Sequence, residues 1–128
     1  MIGRILTIAA IGAGLSGCAT IGLGSDNDFD AMEGEWIVDL TPSPDAEIYR
    51  QSLRLDIDRD GRVTGEFYDS PIIAGRAGEG QGRICAAFRT SDNSGPYHHS
   101  ACVEDGDLIG QTWSEGREFT MPWTATRD

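Results

Sequence analysis

The chain has 128 residues, with 21 acidic and 10 basic side chains and a formal net charge of −11, a length that allows one small domain. The acidic surplus repels nucleic-acid backbones and anionic headgroups, so nucleic acid is not an expected partner. All 10 basic residues are arginine, a bias that carries no functional implication.

The chain opens with a positive end, Met1-Ile2-Gly3-Arg4, followed by an uncharged apolar run from Ile5 to Leu15. A run of about eleven residues matches the core of an export signal and falls short of the ~20 that a membrane-spanning helix needs. Gly12, Gly14 and Gly17 weaken it further as a permanent helix. The run ends in Leu15-Ser16-Gly17-Cys18, which resembles the lipobox of bacterial lipoproteins. The resemblance implies that residues 1–17 are a removed signal peptide and that Cys18 is lipidated as the first mature residue. One acyl chain holds a protein only marginally, at ~0.8 kcal/mol per buried CH2, and lipoproteins of this kind carry more than one. By the family rule, Ala19 rather than aspartate after the cysteine implies the outer membrane. Residues 18–32, rich in glycine, serine, asparagine and aspartate, read as a flexible tether reaching roughly 20 Å. The domain is expected at 33–128.

From there the apolar period is two. Trp36, Val38 and Leu40 alternate with Glu35, Ile37 and Asp39, and Thr41-Pro42-Ser43-Pro44-Asp45 interrupts the strand. Pro44 suits the first position of a single helical turn capped by Ser43. Leu53, Leu55 and Ile57 form the next inward face, with Arg54, Asp56 and Asp58 outward. Further strands are expected at Arg62–Asp69, Pro71–Arg76 (a short edge), Arg83–Thr90, Tyr97–Glu104, Asp107–Ser114 and Arg117–Ala125, with a glycine-rich loop at Gly75–Gly82.

The turns choose the registers. A three-residue loop ending in a left-handed Gly61 pairs Ile57 with Val63, Leu55 with Gly65 and Leu53 with Phe67. A two-residue Asp60-Gly61 turn would slip the pairing by one and send every side chain to the wrong face. Asp105-Gly106 as a two-residue turn pairs Val103 with Leu108 and Ala101 with Gly110. Glu115-Gly116 as another pairs Thr112 with Phe119, Gly110 with Met121 and Leu108 with Trp123. Pairing Ala101 with Ala86 across the loop Ser91–Pro96 sets Cys85 opposite Cys102 on the outer face. In an oxidising compartment this even pair is expected to form a disulfide, closing ~17 residues for a gain near ~3 kcal/mol.

The sum is an all-β domain, an antiparallel up-and-down meander of about eight short strands, closed or nearly closed into a barrel. Gly34-Glu35-Trp36 resembles the G-x-W opening of lipocalin and avidin-type barrels, the calycin-like folds. Val63-Thr64-Gly65-Glu66-Phe67-Tyr68-Asp69-Ser70 is similar to a strand of avidin-like proteins. The avidin biotin-binding pattern does not extend beyond these two strands, and biotin is not expected.

Candidate site residues follow from the inward face: Trp36, Phe67, Phe88, His99, Thr112, Phe119 and Trp123 line the expected interior, with Gly65, Gly110, Ala86 and Ala101 leaving room for a pocket. Trp113 and Ile109 point outward beside the cysteines and suit a protein partner. Asp56-Ile57-Asp58-Arg59-Asp60-Gly61 matches the start of a calcium loop, but Phe67 stands where the closing acid belongs. No metal or other cofactor is therefore expected. His98 and His99 are adjacent on a strand and face opposite ways, and no catalytic residue is assigned. The function expected is a non-enzymatic outer-membrane lipoprotein, held to the membrane by its lipid anchor, whose barrel binds a small apolar ligand or an envelope protein partner. An envelope inhibitor of lysozyme or a protease is the alternative, on architecture alone. An enzyme relying on His99 comes third.

Overall fold

The computed structural model describes residues 29–128, and its elements are all β-strands. The expected signal peptide at 1–17, the lipidation site Cys18 and residues 19–28 of the expected tether lie outside the described residues. The strands are β1 (Gly34–Asp39), β2 (Arg50–Ile57), β3 (Val63–Phe67), β4 (Ser70–Pro71), β5 (Ala74–Gly80), β6 (Arg83–Asp92), β7 (Gly95–Glu104), β8 (Asp107–Ser114) and β9 (Phe119–Arg127). They form one antiparallel sheet in the order β4-β3-β2-β1-β9-β8-β7-β6-β5. Only β1 and β9 pair across a large sequence distance, so the meander joins its first strand to its last.

The sheet curls strongly into a half-barrel because its large apolar side chains stand on one face. Trp36, Val38, Leu53, Leu55, Ile57, Val63, Phe67, Phe88, Leu108 and Trp123 are all buried there. Burial of each such side chain contributes about 1.5–3 kcal/mol relative to exposure. The two edges of the sheet meet at a seam. Ile72 N–H donates to Gly65 O of β3 and Ile73 N–H to Arg89 O of β6, each at 2.9 Å. Beyond them Ala77 N–H donates to Gly61 O at 2.7 Å, and Arg62 and Arg76 form an isolated bridge.

The expected registers hold over most of the sheet. Ile57 faces Val63, Leu55 faces Gly65 and Leu53 faces Phe67, with Gly61 at φ 86° closing the turn. Ala86 faces Ala101, and the Cys85–Cys102 disulfide bridges β6 and β7.

Three expectations are corrected. First, the expected edge strand at 71–76 divides into β4 and β5, and the glycine-rich segment 75–82, expected as a loop, is mostly strand, which brings the meander to nine strands. At Gly75 the missing side chain supplies room rather than slack. A Cβ on Gly75 would meet Val63 Cβ at 2.8 Å and Val63 O at 2.9 Å across the seam. Second, the β8–β9 connection is a four-residue turn, 115–118. Ser114 Oγ accepts from Arg117 N–H at 3.1 Å and Glu115 O from Glu118 N–H at 3.2 Å. The pairing moves by two, to Thr112–Met121, Gly110–Trp123 and Leu108–Ala125; an even shift keeps every side chain on its face. Third, Ser43 caps no helix: its carbonyl accepts from Ala46 N–H in a single turn.

Folded structure also begins before Glu33. Met32 is fully buried and Phe29 packs on the core. Arg127 of β9 holds this segment down, donating to the carbonyls of Asp30, Ala31 and Glu33 while its guanidinium lies 4.0 Å from the Trp36 ring centroid. Trp36 Nε1–H donates to Met32 O at 2.9 Å. One end of the half-barrel is thereby plugged.

Candidate functional site

The opposite end is open. There one end each of β3, β6, β7, β8 and β9, with Leu40 just after β1 and Tyr49 just before β2, surround a cavity of ≈ 340 Å³, at the small end of the ~300–1,000 Å³ range of small-molecule sites. Its walls are largely apolar, from Leu40, Phe67, Phe119 and Met121.

The floor is polar and uncharged. His99 is buried, with Nε2 2.9 Å from Thr90 Oγ1 and Nδ1 2.8 Å from Thr112 Oγ1. Trp123 Nε1–H donates to Thr112 Oγ1 at 2.9 Å. Burial, with the charge of neighbouring His98 adding to it, pushes His99 down from 6.5 to about 4, so the imidazole is neutral at pH 7. Rings fix its plane: Phe67 meets it edge-on at 4.8 Å, and Phe88 and Tyr97 flank it at 5.1 and 6.5 Å. A hydroxyl beside an imidazole has the spacing of a nucleophile and its base. Here, however, the second ring nitrogen meets another threonine rather than an orienting carboxylate, and the arrangement reads as a hydrogen-bonding floor.

The rim is aromatic. Tyr49 and Tyr68 meet edge to face at 5.9 Å, and both are exposed. Tyr68 is at φ 59° and Asp69 at φ 65°, so both residues of the β3–β4 turn are left-handed. Asparagine or glycine normally fills such a turn, and a bulky side chain there costs about 1–3 kcal/mol. The two charged lining residues meet at one hydroxyl: Tyr97 Oη donates to Asp92 Oδ2 at 2.9 Å and accepts from Arg117 Nη1 at 3.4 Å.

Of the seven side chains expected in the pocket, Phe67, His99, Thr112 and Phe119 line it. Trp36 does not: it is fully buried at the plugged end under Arg127. Phe88 and Trp123 are buried in the core and act on the cavity through His99 and Thr112. Sequence reasoning missed Tyr49, Tyr68, Tyr97, Asp92 and Arg117. Tyr97 was within reach, because the register that joins Cys85 to Cys102 also pairs it with inward Thr90.

Asp56, Asp58 and Asp60 do not gather as calcium ligands. Asp58 Oδ1 accepts from the N–H groups of Asp60 and Arg62, each at 2.9 Å. Those bonds, Arg62's first, hold its carboxyl below the usual range. Asp56 points outward to Arg54 at 3.0 Å. Among the described residues, no three His, Cys, Asp or Glu side chains are grouped as a metal site requires. His98 lies outside, its ring 5.1 Å from exposed Trp113. Ile109 is exposed on the same outer face, opposite Cys102.

No family model matches the chain, and no curated protein matches it. The curled antiparallel half-barrel is compatible with a calycin-like fold.

Proposed function

We propose that this is a non-enzymatic lipoprotein of the outer membrane, anchored at Cys18, whose calycin-like half-barrel holds a small apolar ligand in its open end. The observation that carries the binding reading is the ≈ 340 Å³ cavity, walled by apolar side chains over a floor in which the one imidazole is neutral. A cavity of this kind rewards apolar surface and supplies a few fixed hydrogen bonds. The chemistry argues against catalysis, since the only base in the floor is shifted far below neutrality and no carboxylate orients it.

Native mass spectrometry of protein purified gently from a bacterial periplasm tests the reading. An extra mass of a few hundred daltons, lost on unfolding, is expected. Protein that is bare and that binds no small hydrophobe from a panel overturns it, and attention passes to a protein partner on the outer face around Trp113 and Ile109. Anchoring is tested separately: replacing Cys18 by serine moves the protein from the membrane fraction to the soluble one, and unchanged membrane attachment overturns the lipoprotein reading.

A further inference from the structure

A count of hydrogens in the floor narrows the ligand. The chain Trp123–Thr112–His99–Thr90 contains three hydrogen bonds. The neutral imidazole carries one N–H, the indole one, and each threonine one O–H, giving a donor more than the bonds consume. The indole can only donate, so Thr112 Oγ1 accepts from it. If the imidazole proton is on Nε2, Thr112 donates to Nδ1 and the Thr90 hydroxyl hydrogen is left over. If it is on Nδ1, Thr90 donates to Nε2 and the Thr112 hydrogen is left over. Both threonines line the cavity and neither hydroxyl has another partner among the described residues. In either tautomer the floor offers one hydroxyl donor to whatever enters.

The rim adds a second requirement. Tyr49 and Tyr68 stand exposed at the opening, and Tyr68 is held there by a left-handed turn that its side chain disfavours. A strained position that persists at a cavity mouth marks a side chain whose placement matters. The aromatic faces stack on flat rings. Asp92 and Arg117 neutralise one another through Tyr97, which leaves the lining with no net charge to offer an ion.

We infer that the cavity takes an uncharged, ring-bearing molecule with a hydrogen-bond acceptor that reaches the Thr90–His99–Thr112 floor while the ring packs on Tyr49 and Tyr68 at the mouth. The inference rests on the ligand-binding reading above.

Benzophenone, diphenylmethane, 4-benzoylbenzoate and decan-1-ol test it on the protein purified from the periplasm by calorimetry, with benzophenone photo-crosslinking to locate the site. Benzophenone is expected to bind about tenfold more tightly than diphenylmethane, which has the same rings without the carbonyl, and more tightly than the anionic benzoate or the ringless alcohol. Adducts are expected at the cavity lining. Tyr68→Asn, whose new side chain suits a left-handed turn, should unfold at no lower temperature than the parent yet bind benzophenone about tenfold more weakly. Tyr68→Phe should bind like the parent. Equal affinity for benzophenone and diphenylmethane, preference for decan-1-ol, or unchanged binding by Tyr68→Asn overturns the inference and leaves the ligand-binding reading standing. Failure of all four probes to bind overturns the inference, and together with bare protein in native mass spectrometry it overturns the ligand-binding reading as well.

Discussion

The indole of Trp123 lies against the bare backbone of Gly110 on the facing strand. A Cβ at residue 110 would stand 2.6 Å from the ring's Cη2 and 2.6 Å from Ser100 O. The β8–β9 register and the floor of the cavity both depend on this fit, because the same indole donates to Thr112.

Gly110→Ala should therefore destabilise the fold by about 2–3 kcal/mol, since overpacking forces both a ring and a backbone carbonyl to move. Urea denaturation monitored by tryptophan fluorescence measures it. A loss below about 0.5 kcal/mol would show that β8 and β9 have slack at this point.

Arg127 ties the end of β9 to residues 30–33 and covers Trp36. Arg127→Ala removes charge-assisted bonds to three carbonyls and a cation–π contact, together about 2 kcal/mol. Hydrogen exchange should quicken in 29–36 before it quickens in β6–β8. Uniform quickening throughout the sheet would mean that the plug does not open as a separate unit.

His99 makes stability depend on pH. Its folded value, about 4, lies below the ordinary 6.5, so between these values the unfolded chain binds more protons and stability falls as pH falls. From pH 7 to pH 5 the expected loss through this group is about 2 kcal/mol. His99→Gln, which cannot titrate there, should lose less over the same interval by about that amount. Urea melts of both proteins at the two pH values decide it, and equal losses would place the acid sensitivity elsewhere.

The Cys85–Cys102 bond spans 17 residues of sequence on the outer face of β6 and β7. Replacing both cysteines by serine should cost about 3 kcal/mol through the chain entropy of the unfolded state. Ligand affinity measured below the new melting temperature should stay the same, because the bond faces away from the cavity. A parallel loss of affinity would mean that the cross-link also sets the spacing of Thr90 and His99.

How far the sequence reveals this molecule can be argued residue by residue. Leu53, Leu55 and Ile57 identify their partners across Gly61 because only one register buries all of them. Ala86, Ala101 and the two cysteines do the same for β6 and β7. Gly75 misleads: a glycine in a strand and a glycine in a loop look alike, and what decides between them is Val63, brought alongside only when the sheet curls. Arg117 and Glu118 hide the length of the β8–β9 turn, because Glu115-Gly116 is a sufficient turn taken alone. Period-two patterning tells which face Trp36 occupies but not its height along the barrel, so it passed for a pocket residue. The rim was hidden for the same reason, since Tyr49, Tyr68 and Tyr97 share an end of the molecule only after the strands are aligned.

Phe29, where the described chain begins, packs beside the plugged end, and the aromatic opening lies at the far pole. A hold at Cys18 would reach the domain through its plugged pole, so the aromatic opening is the end of the fold that such a hold leaves unobstructed.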